Sequence, residues 1–559
     1  MNLKNQLQNS LKNTVIKLWP EVKERVLSGS LTVEVEYPQE DRFGDYSTNL
    51  AMKLGAILKA SPLQLAQKIV ESLKMDKYEK IIGIAPGFIN FYLDKKWLEK
   101  QVNPILKEKQ RFGQSKLGRN KKIQVEFISA NPTGPLTLGN GRGGFSGDTL
   151  ANILKLAGFR VQREYYINDT GNQVDILAES VLRRYWQHQG IRMDYPEYCY
   201  QGKYIKDLAK HLFLPNYKLT NTQKLEAVRD KIKGRILQKM ISQIQKLVKN
   251  KLGIKYDRWF SEESLYQAKQ VDKIFELLKA KSFVYEKEGA TWLKTSEFGD
   301  EKDRVLIKED GKPVYFLSDI TYHWNKFVKR QFSKAIDIWG ADHHGYVNRM
   351  QAAMKILGLE DRLDIIIMQL VRLMSEGKEI KMSKRLGTFI TLEELVDEVG
   401  LDVARFFFLM YDFNTHMDFD LDLAKKKSKD NPVYYVQYAH ARICSIMKKA
   451  NELHKAQSLG KLGISEKKDS GISQKVEYDL IRELIKWPEL VEGIAQTYQV
   501  QKLPFYAIAL ATKFHDFYTQ CRVIDNDVIN EPRMNLVKAT QIVLQSVLSA
   551  IGVSAPEKM

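Results

Sequence analysis

Two short segments carry residue types suited to handling a polyphosphate. The first is Ser129-Ala-Asn-Pro-Thr-Gly-Pro-Leu-Thr-Leu-Gly-Asn-Gly-Arg-Gly-Gly144. It follows the apolar, β-branched run Lys121–Ile128 and precedes a helix-like repeat over Asp148–Phe159. A glycine-rich turn between a strand and a helix lets backbone N–H groups approach phosphate oxygens and aims a helix N-terminus at them. Many glycine loops bind nothing, so this motif alone is weak. The second segment is Lys381-Met-Ser-Lys384, about 240 residues downstream, with Gly377 and Gly387 on either side. Two lysines three apart can clamp phosphates, although a solvated surface loop is the plainer alternative. Transfer at phosphorus needs charge neutralisation rather than a side-chain nucleophile, so lysines and neutral donors suffice. Together the two segments point to ATP held by its phosphates.

The elements around them must bring the segments together. Residues 1–110 read as a small α+β unit: a helix, the loop Phe43–Tyr46 leading into another helix, and a strand at Gly87–Leu93. From Lys121 the pattern is strand, glycine loop, helix, a second strand at Arg160–Ile167, and a further helix. Residues 185–297 look helical and lysine-rich, an insertion rather than a continued sheet. Arg304–Phe316 reads as a hairpin turning at Asp310-Gly311. Ala335–Trp339 is strand-like and opens into Gly340–Gly345, and Asp364–Leu373 is a buried strand leading to the lysine segment. Strands alternating with helices predict an α/β doubly wound parallel sheet over 111–424. Ligands in such sheets bind outside the carboxyl ends of the strands. Residues 425–559 read as an all-α bundle, interrupted by a Gly/Ser/Lys-rich loop at Gln457–Lys475.

At 559 residues the chain exceeds one hydrophobic core, and its +19 formal charge favours a polyanionic partner, most simply nucleic acid. Cys199, Cys444 and Cys521 form no CxxC pair, which argues against structural zinc or a disulfide framework and suits a reducing cytoplasm. The N-terminus has an amphipathic helix pattern rather than a signal peptide, and no membrane span is expected.

Several further stretches carry a resemblance over nearly the whole chain: Glu126-Phe-Ile-Ser-Ala-Asn131-Pro, Tyr165-Tyr-Ile-Asn-Asp-Thr-Gly-Asn-Gln173, Tyr315-Phe-Leu-Ser-Asp319, Gly340-Ala-Asp-His-His-Gly-Tyr346, Asn431-Pro-Val-Tyr-Tyr-Val-Gln-Tyr-Ala-His-Ala-Arg442 and the ending Ser-Ala-Pro-Glu-Lys-Met559. With them the sequence resembles class I aminoacyl-tRNA synthetases, and the arginyl-tRNA synthetase family in particular. The resemblance implies a Rossmann-type catalytic domain between an N-terminal domain touching the tRNA elbow and a C-terminal helical anticodon-binding domain. It implies ligation of arginine to tRNA(Arg), using ATP with Mg2+, by a family that is mostly monomeric and usually needs bound tRNA to activate arginine. By that resemblance Thr137, Asn140, Lys381 and Lys384 are catalytic, and Gly139, Gly141, Gly340, Asp342, His344, Met382 and Ser383 surround ATP. Tyr315 and Asp319 take the guanidinium, while Glu126 and Asn131 take the α-amino end. Phe88, Asn90, Tyr438, Tyr518 and Met559 face the tRNA.

The residue chemistry fits these roles. A guanidinium suits bidentate carboxylates and aromatic faces, and Tyr315 and Asp319, four apart, meet on one helical turn. An aromatic and an amide, as at Phe88 and Asn90, suit an unpaired base. Adjacent His343 and His344 would point apart and no third ligand has suitable spacing. Magnesium arriving with ATP therefore fits better than a protein-caged metal. One departure stands out: the family reads His-x-Gly-His where this chain reads Thr137-Leu-Gly-Asn140. A hydroxyl and an amide can serve as neutral donors to phosphate oxygens, as in the similar Thr-x-Gly-Asn of tryptophanyl-tRNA synthetases. The competing reading is a catalytically silent tRNA-binding paralogue.

Overall fold

The computed structural model describes residues 2–73, 78–84, 86–212, 222–380, 390–458 and 471–559. Lys381, Met382, Ser383 and Lys384 lie outside the described residues, as does 459–470 of the expected C-terminal loop.

The chain opens with the helix Leu3–Leu18, capped by the Asn2 side chain. Leu3, Leu7, Leu11 and Val15 recur every four residues and are buried, the apolar stripe of a helix laid on a core. Strands β1 (Tyr46–Thr48), β2 (Tyr78–Ile84) and β3 (Phe88–Leu93) form an antiparallel sheet in the order β1-β3-β2.

The catalytic-type region begins with β4 (Lys122–Glu126), β5 (Arg160–Ile167) and β6 (Arg258–Ser261). An antiparallel sheet of β7 (Val284–Lys287), β8 (Ala290–Leu293) and β9 (Arg304–Ile307) follows. Then come β10 (Lys334–Gly340), β11 (Leu363–Met368), β12 (Val371–Ser375), β13 (Lys378–Glu379) and β14 (Met417–Asp420). Five of these make a wholly parallel sheet in the order β11-β10-β4-β5-β6. Its central strand β4 is buried on both faces, through Ile123 and Val125 as well as Gln124 and Glu126. Because β4 neighbours β5 on one side and β10 on the other, the chain direction of winding reverses between β4 and β10. That reversal opens a crevice at their carboxyl ends.

Four sequence expectations are corrected. Residues 185–297 are not a uniformly helical insertion: the helices Lys203–Lys210 and Thr222–Asn250 give way to β6, the edge strand of the main sheet, and then to β7 and β8. The last part of the glycine segment, from Leu138 to Gly144, is already helix, the start of a helix that runs to Leu156 rather than beginning at Asp148. The hairpin after β9 has its turn at Asp310-Gly311, but its second arm is a single bridge, Ile307 to Pro313, before a helix starts at Tyr315. The run Asp364–Leu373 is two strands, β11 and β12, that belong to different sheets.

The C-terminal region is a helical bundle dominated by Pro432–Ser458, Lys475–Ile485, Trp487–Thr497, Lys502–Gln520 and Glu531–Ile551. Among the described residues one helix, Glu531–Ile551, is long and apolar enough to cross a membrane by length and composition. It is 61% buried within the fold, as the core helix of the bundle.

Candidate active site

A cavity of about 360 Å³ lies at the crevice, lined by Thr137, Gly139, Asn140, Gly340, Asp342 and Met368, with Gln369 and Leu370 on its far wall. The helix Leu138–Leu156 points its first turn into this space. Before it, the chain leaves β4 through Ile128 at φ 65° and Ser129 at φ 38°. A β-branched residue rarely takes that conformation, and strain of this kind gathers at functional sites. It turns the Ser129 hydroxyl to donate to Glu126 Oε1 at 3.1 Å and to accept the Tyr166 N–H at 3.0 Å.

At the helix start the Asn140 amide oxygen accepts the Thr137 N–H at 2.9 Å and the Thr137 hydroxyl at 3.0 Å. Two residues on, the buried Arg142 guanidinium donates to three backbone carbonyls: Gln369 at 2.9 Å, Asp412 at 2.6 Å and Thr415 at 2.8 Å. Burial lowers its pKa to about 10. Arg142 thereby ties the helix Leu138–Leu156 to the turn between β11 and β12 and to the segment before β14.

The expected nucleotide residues divide. Gly139, Gly340 and Asp342 line the cavity. Gly141 does not; a Cβ there would stand 2.4 Å from Leu392 Cδ1, so its role is close packing. His344 is exposed on the 3-10 turn Ala341–Tyr346 and is not among the lining residues.

Beside the cavity the sheet carries three acids in register, Asp337, Glu126 and Glu164, on the adjacent strands β10, β4 and β5. Lys326 reaches Glu126 at 2.7 Å and Asp337 at 2.8 Å, Arg330 pairs with Glu164, and the Tyr322 hydroxyl lies 2.7 Å from both Glu126 and Glu164. Burial pushes the Glu126 carboxyl up and Lys326 only partly offsets it. Burial would also raise Asp337, but Lys326 and His323 outweigh it and hold that carboxyl below its ordinary range. These bonds fasten the helix Tyr315–Trp324 to the sheet.

That helix presents Asp319, which accepts the Tyr346 hydroxyl at 2.6 Å; burial, the largest cause, raises its carboxyl. Tyr315, half-exposed, rests its hydroxyl where a Cβ on Gly171 would stand. Near Asp319 is Glu262, fully buried just beyond the end of β6. It accepts from Ser318 at 2.8 Å and from the Asn168 amide at 3.0 Å. Burial, with a contribution from Asp319, brings it up to about 7. The Tyr166 hydroxyl close to these acids is buried without a hydrogen-bond partner among the described residues. Neither Asp319 nor Glu262 has a salt-bridge partner among the described residues. The result is a cluster of acids flanked by tyrosines, whose chemistry suits a flat organic cation. Asn131 is exposed at its rim and donates to Gln173 at 2.7 Å, whereas Glu126 is engaged by Lys326, Tyr322 and Ser129.

Three family models together match most of the chain: "Arginyl tRNA synthetase N terminal domain" over 1–93, "tRNA synthetases class I (R), catalytic domain" over 101–413, and "DALR anticodon binding domain" over 436–559. The arginine–tRNA ligase of Listeria welshimeri is 44% identical over 99% of this chain and 100% of its own length. The chain belongs to the arginyl-tRNA synthetase family. Arginine–tRNA ligase 1 of Halalkalibacterium halodurans is 42% identical over the full length of both chains. The Thermus thermophilus arginyl-tRNA synthetase structure, 21% identical and matched over 100% of both chains, has the same fold with a TM-score of 0.77.

Like other arginyl-tRNA synthetases by their model descriptions, this one carries distinct N-terminal and anticodon-type domains. In the first, Phe88 and the buried Asn90 line a second cavity of about 430 Å³ together with Tyr37 and Phe43, and Asn90 Oδ1 accepts the Ser47 hydroxyl at 2.7 Å. In the last, Tyr438 and Tyr518 sandwich the Arg442 guanidinium at 4.5 and 4.6 Å, and Met559 is exposed at the end of the chain. Sequence reasoning passed over Arg142, Arg442, Lys326 and Glu262. Glu262 had an available signal, since it directly follows a parallel strand, but that strand was hidden inside a segment read as helical.

Proposed function

We infer that this chain activates arginine with ATP and transfers it to the 3'-terminal adenosine of tRNA(Arg). It is an arginine–tRNA ligase of the class I family. The observation that supports the amino-acid assignment best is the pair Asp319 and Glu262, two carboxylates without a cation partner among the described residues, beside the cavity at the sheet's reversal.

In the first step an arginine carboxylate oxygen attacks the α-phosphorus of ATP; the bond to the bridging oxygen breaks and pyrophosphate leaves with the electron pair. In the second, a ribose hydroxyl of the terminal adenosine attacks the carbonyl carbon, and AMP leaves. No side-chain nucleophile is required. Asp319 and Glu262 hold the guanidinium with Tyr315 against it, while Asn131 faces the α-amino end. Glu126 acts on that end through Ser129 rather than as a free counter-charge. Asn140 and the start of its helix receive the phosphates, with Lys381 and Lys384 neutralising charge and magnesium arriving bound to ATP. Phe88 and Asn90 take an unpaired elbow base, and Tyr438, Tyr518 and Met559 face the anticodon. The enzyme works as a cytoplasmic monomer.

Asp319→Ala tests the central assignment: it should raise the KM for arginine by roughly 100-fold or more, as loss of a buried charge partner does, and leave the KM for ATP within about twofold of wild type. Normal arginine use by that variant would remove Asp319 from the pocket.

A further inference from the structure

The Thr137/Asn140 pair replaces two family histidines, and its geometry makes the two residues unequal. The Thr137 backbone N–H is an obligate donor, and it points at Asn140 Oδ1 from 2.9 Å. This determines which end of the amide faces the chain: with nitrogen and oxygen exchanged, two donors would confront each other. The Thr137 hydroxyl directs its one proton to the same oxygen, at 3.0 Å. Both donors of Thr137 are therefore spent on Asn140. The Asn140 Nδ2 group keeps two N–H bonds with no protein partner among the described residues, and Asn140 lines the cavity.

We propose that Asn140 alone supplies the side-chain donor to the phosphates at this position, and that Thr137 is a positioning residue that locks the amide with its N–H bonds toward the nucleotide. The proposal rests on the ligase reading and deepens it. As arginine's carboxylate attacks and the bond to pyrophosphate breaks, charge accumulates on the phosphate oxygens. A fixed, neutral N–H pair meets that charge without a proton being transferred. A histidine pair would present two separate rings, each a donor in its own right. Here a two-residue unit delivers one amide, and the hydroxyl acts only through it.

A double-mutant cycle read by arginine- and tRNA-dependent ATP–pyrophosphate exchange separates the roles. Asn140→Ala should lower kcat by about 100- to 1000-fold, the usual loss for one transition-state donor. Thr137→Val should lower kcat by about 10- to 100-fold through misplacement of the amide, with the KM for arginine unchanged, and Thr137→Ser should stay near wild type. In the Asn140→Ala background, Thr137→Val should cost nothing further. Urea midpoints and tRNA affinity equal to wild type show that each variant is folded. An active wild type in which the two losses multiply, or in which Thr137→Val is silent alone, overturns the proposal and leaves the ligase reading standing. A folded wild type without arginine-dependent exchange overturns both.

Discussion

On the proposed assignment, Glu262 couples a single proton to arginine binding. With hydroxyl and amide partners but no cation among the described residues, its carboxyl is brought up to about 7, chiefly by burial and then by Asp319. Below that value Glu262, with no cation beside it among the described residues, is protonated. Guanidinium pairing favours the ionised form, so binding expels a proton and affinity rises with pH until it levels above about 7. The KM for arginine at pH 6 should therefore exceed that at pH 8 by about tenfold, one pH unit below the pKa being worth a factor of ten. Glu262→Gln should raise KM at pH 8 and flatten the slope, as seen by KM titration between pH 6 and 8.5; a variant keeping the full slope would assign the proton elsewhere. Asp319 and Tyr315 were legible as candidates only through the family resemblance, since a Tyr/Asp pair four apart on a helix reads by itself as a surface face. Glu262 was not, because its partnership with Asp319 spans 57 residues and exists only through the sheet.

The helix Leu138–Leu156 carries Gly139, Gly141, Gly143, Gly144 and Gly147 and still folds. Glycine's poor helix propensity made this segment read as a loop, and tertiary packing overrides it. A Cβ at Gly147 would meet the buried Phe127 ring at 2.3 Å, so the helix approaches β4 more closely than any larger residue allows. Gly147→Ala gains helix propensity, yet overpacking against an immobile ring should outweigh it and destabilise the protein by about 1–3 kcal/mol. The urea midpoint measures this, and an unchanged or raised midpoint would show that Phe127 can yield. The strands β4, β5 and β10 were legible from short runs rich in β-branched and aromatic residues that alternate with helix-like segments. β6 was not: four residues, Arg-Trp-Phe-Ser, at a sheet edge carry too little pattern to stand out beside lysine-rich helices.

Across the whole molecule the N-terminal unit is seated on the helical bundle rather than tethered beside it. Glu489 accepts the Tyr46 hydroxyl at 3.0 Å, the Lys4 N–H at 2.8 Å and the Tyr37 hydroxyl, while Arg482 pairs with Asp45 at 2.5 Å. One hydrophobic core runs continuously from Leu3 to Val553 through all three regions. Tyr37 also lines the cavity that contains Asn90, so this seam and the surface proposed to take the tRNA elbow share a side chain. Glu489→Ala leaves the buried Tyr46 hydroxyl without its acceptor, worth about 1–3 kcal/mol when unsatisfied, and also frees the more exposed Tyr37 hydroxyl. It should lower hydrogen-exchange protection within 1–93 and weaken tRNA binding while leaving the parallel sheet protected; unchanged protection in 1–93 would show that the apolar contacts alone hold the seam. Domain order and the basic net charge were legible from composition and motif. This docking was not, since its partners lie more than 400 residues apart.

The most direct measurement is ATP–pyrophosphate exchange by the intact chain, offered each amino acid in turn with and without tRNA(Arg). The account predicts exchange with arginine, dependent on tRNA, and none with the others. Silence under every condition, or exchange without tRNA that ignores arginine, would contradict it.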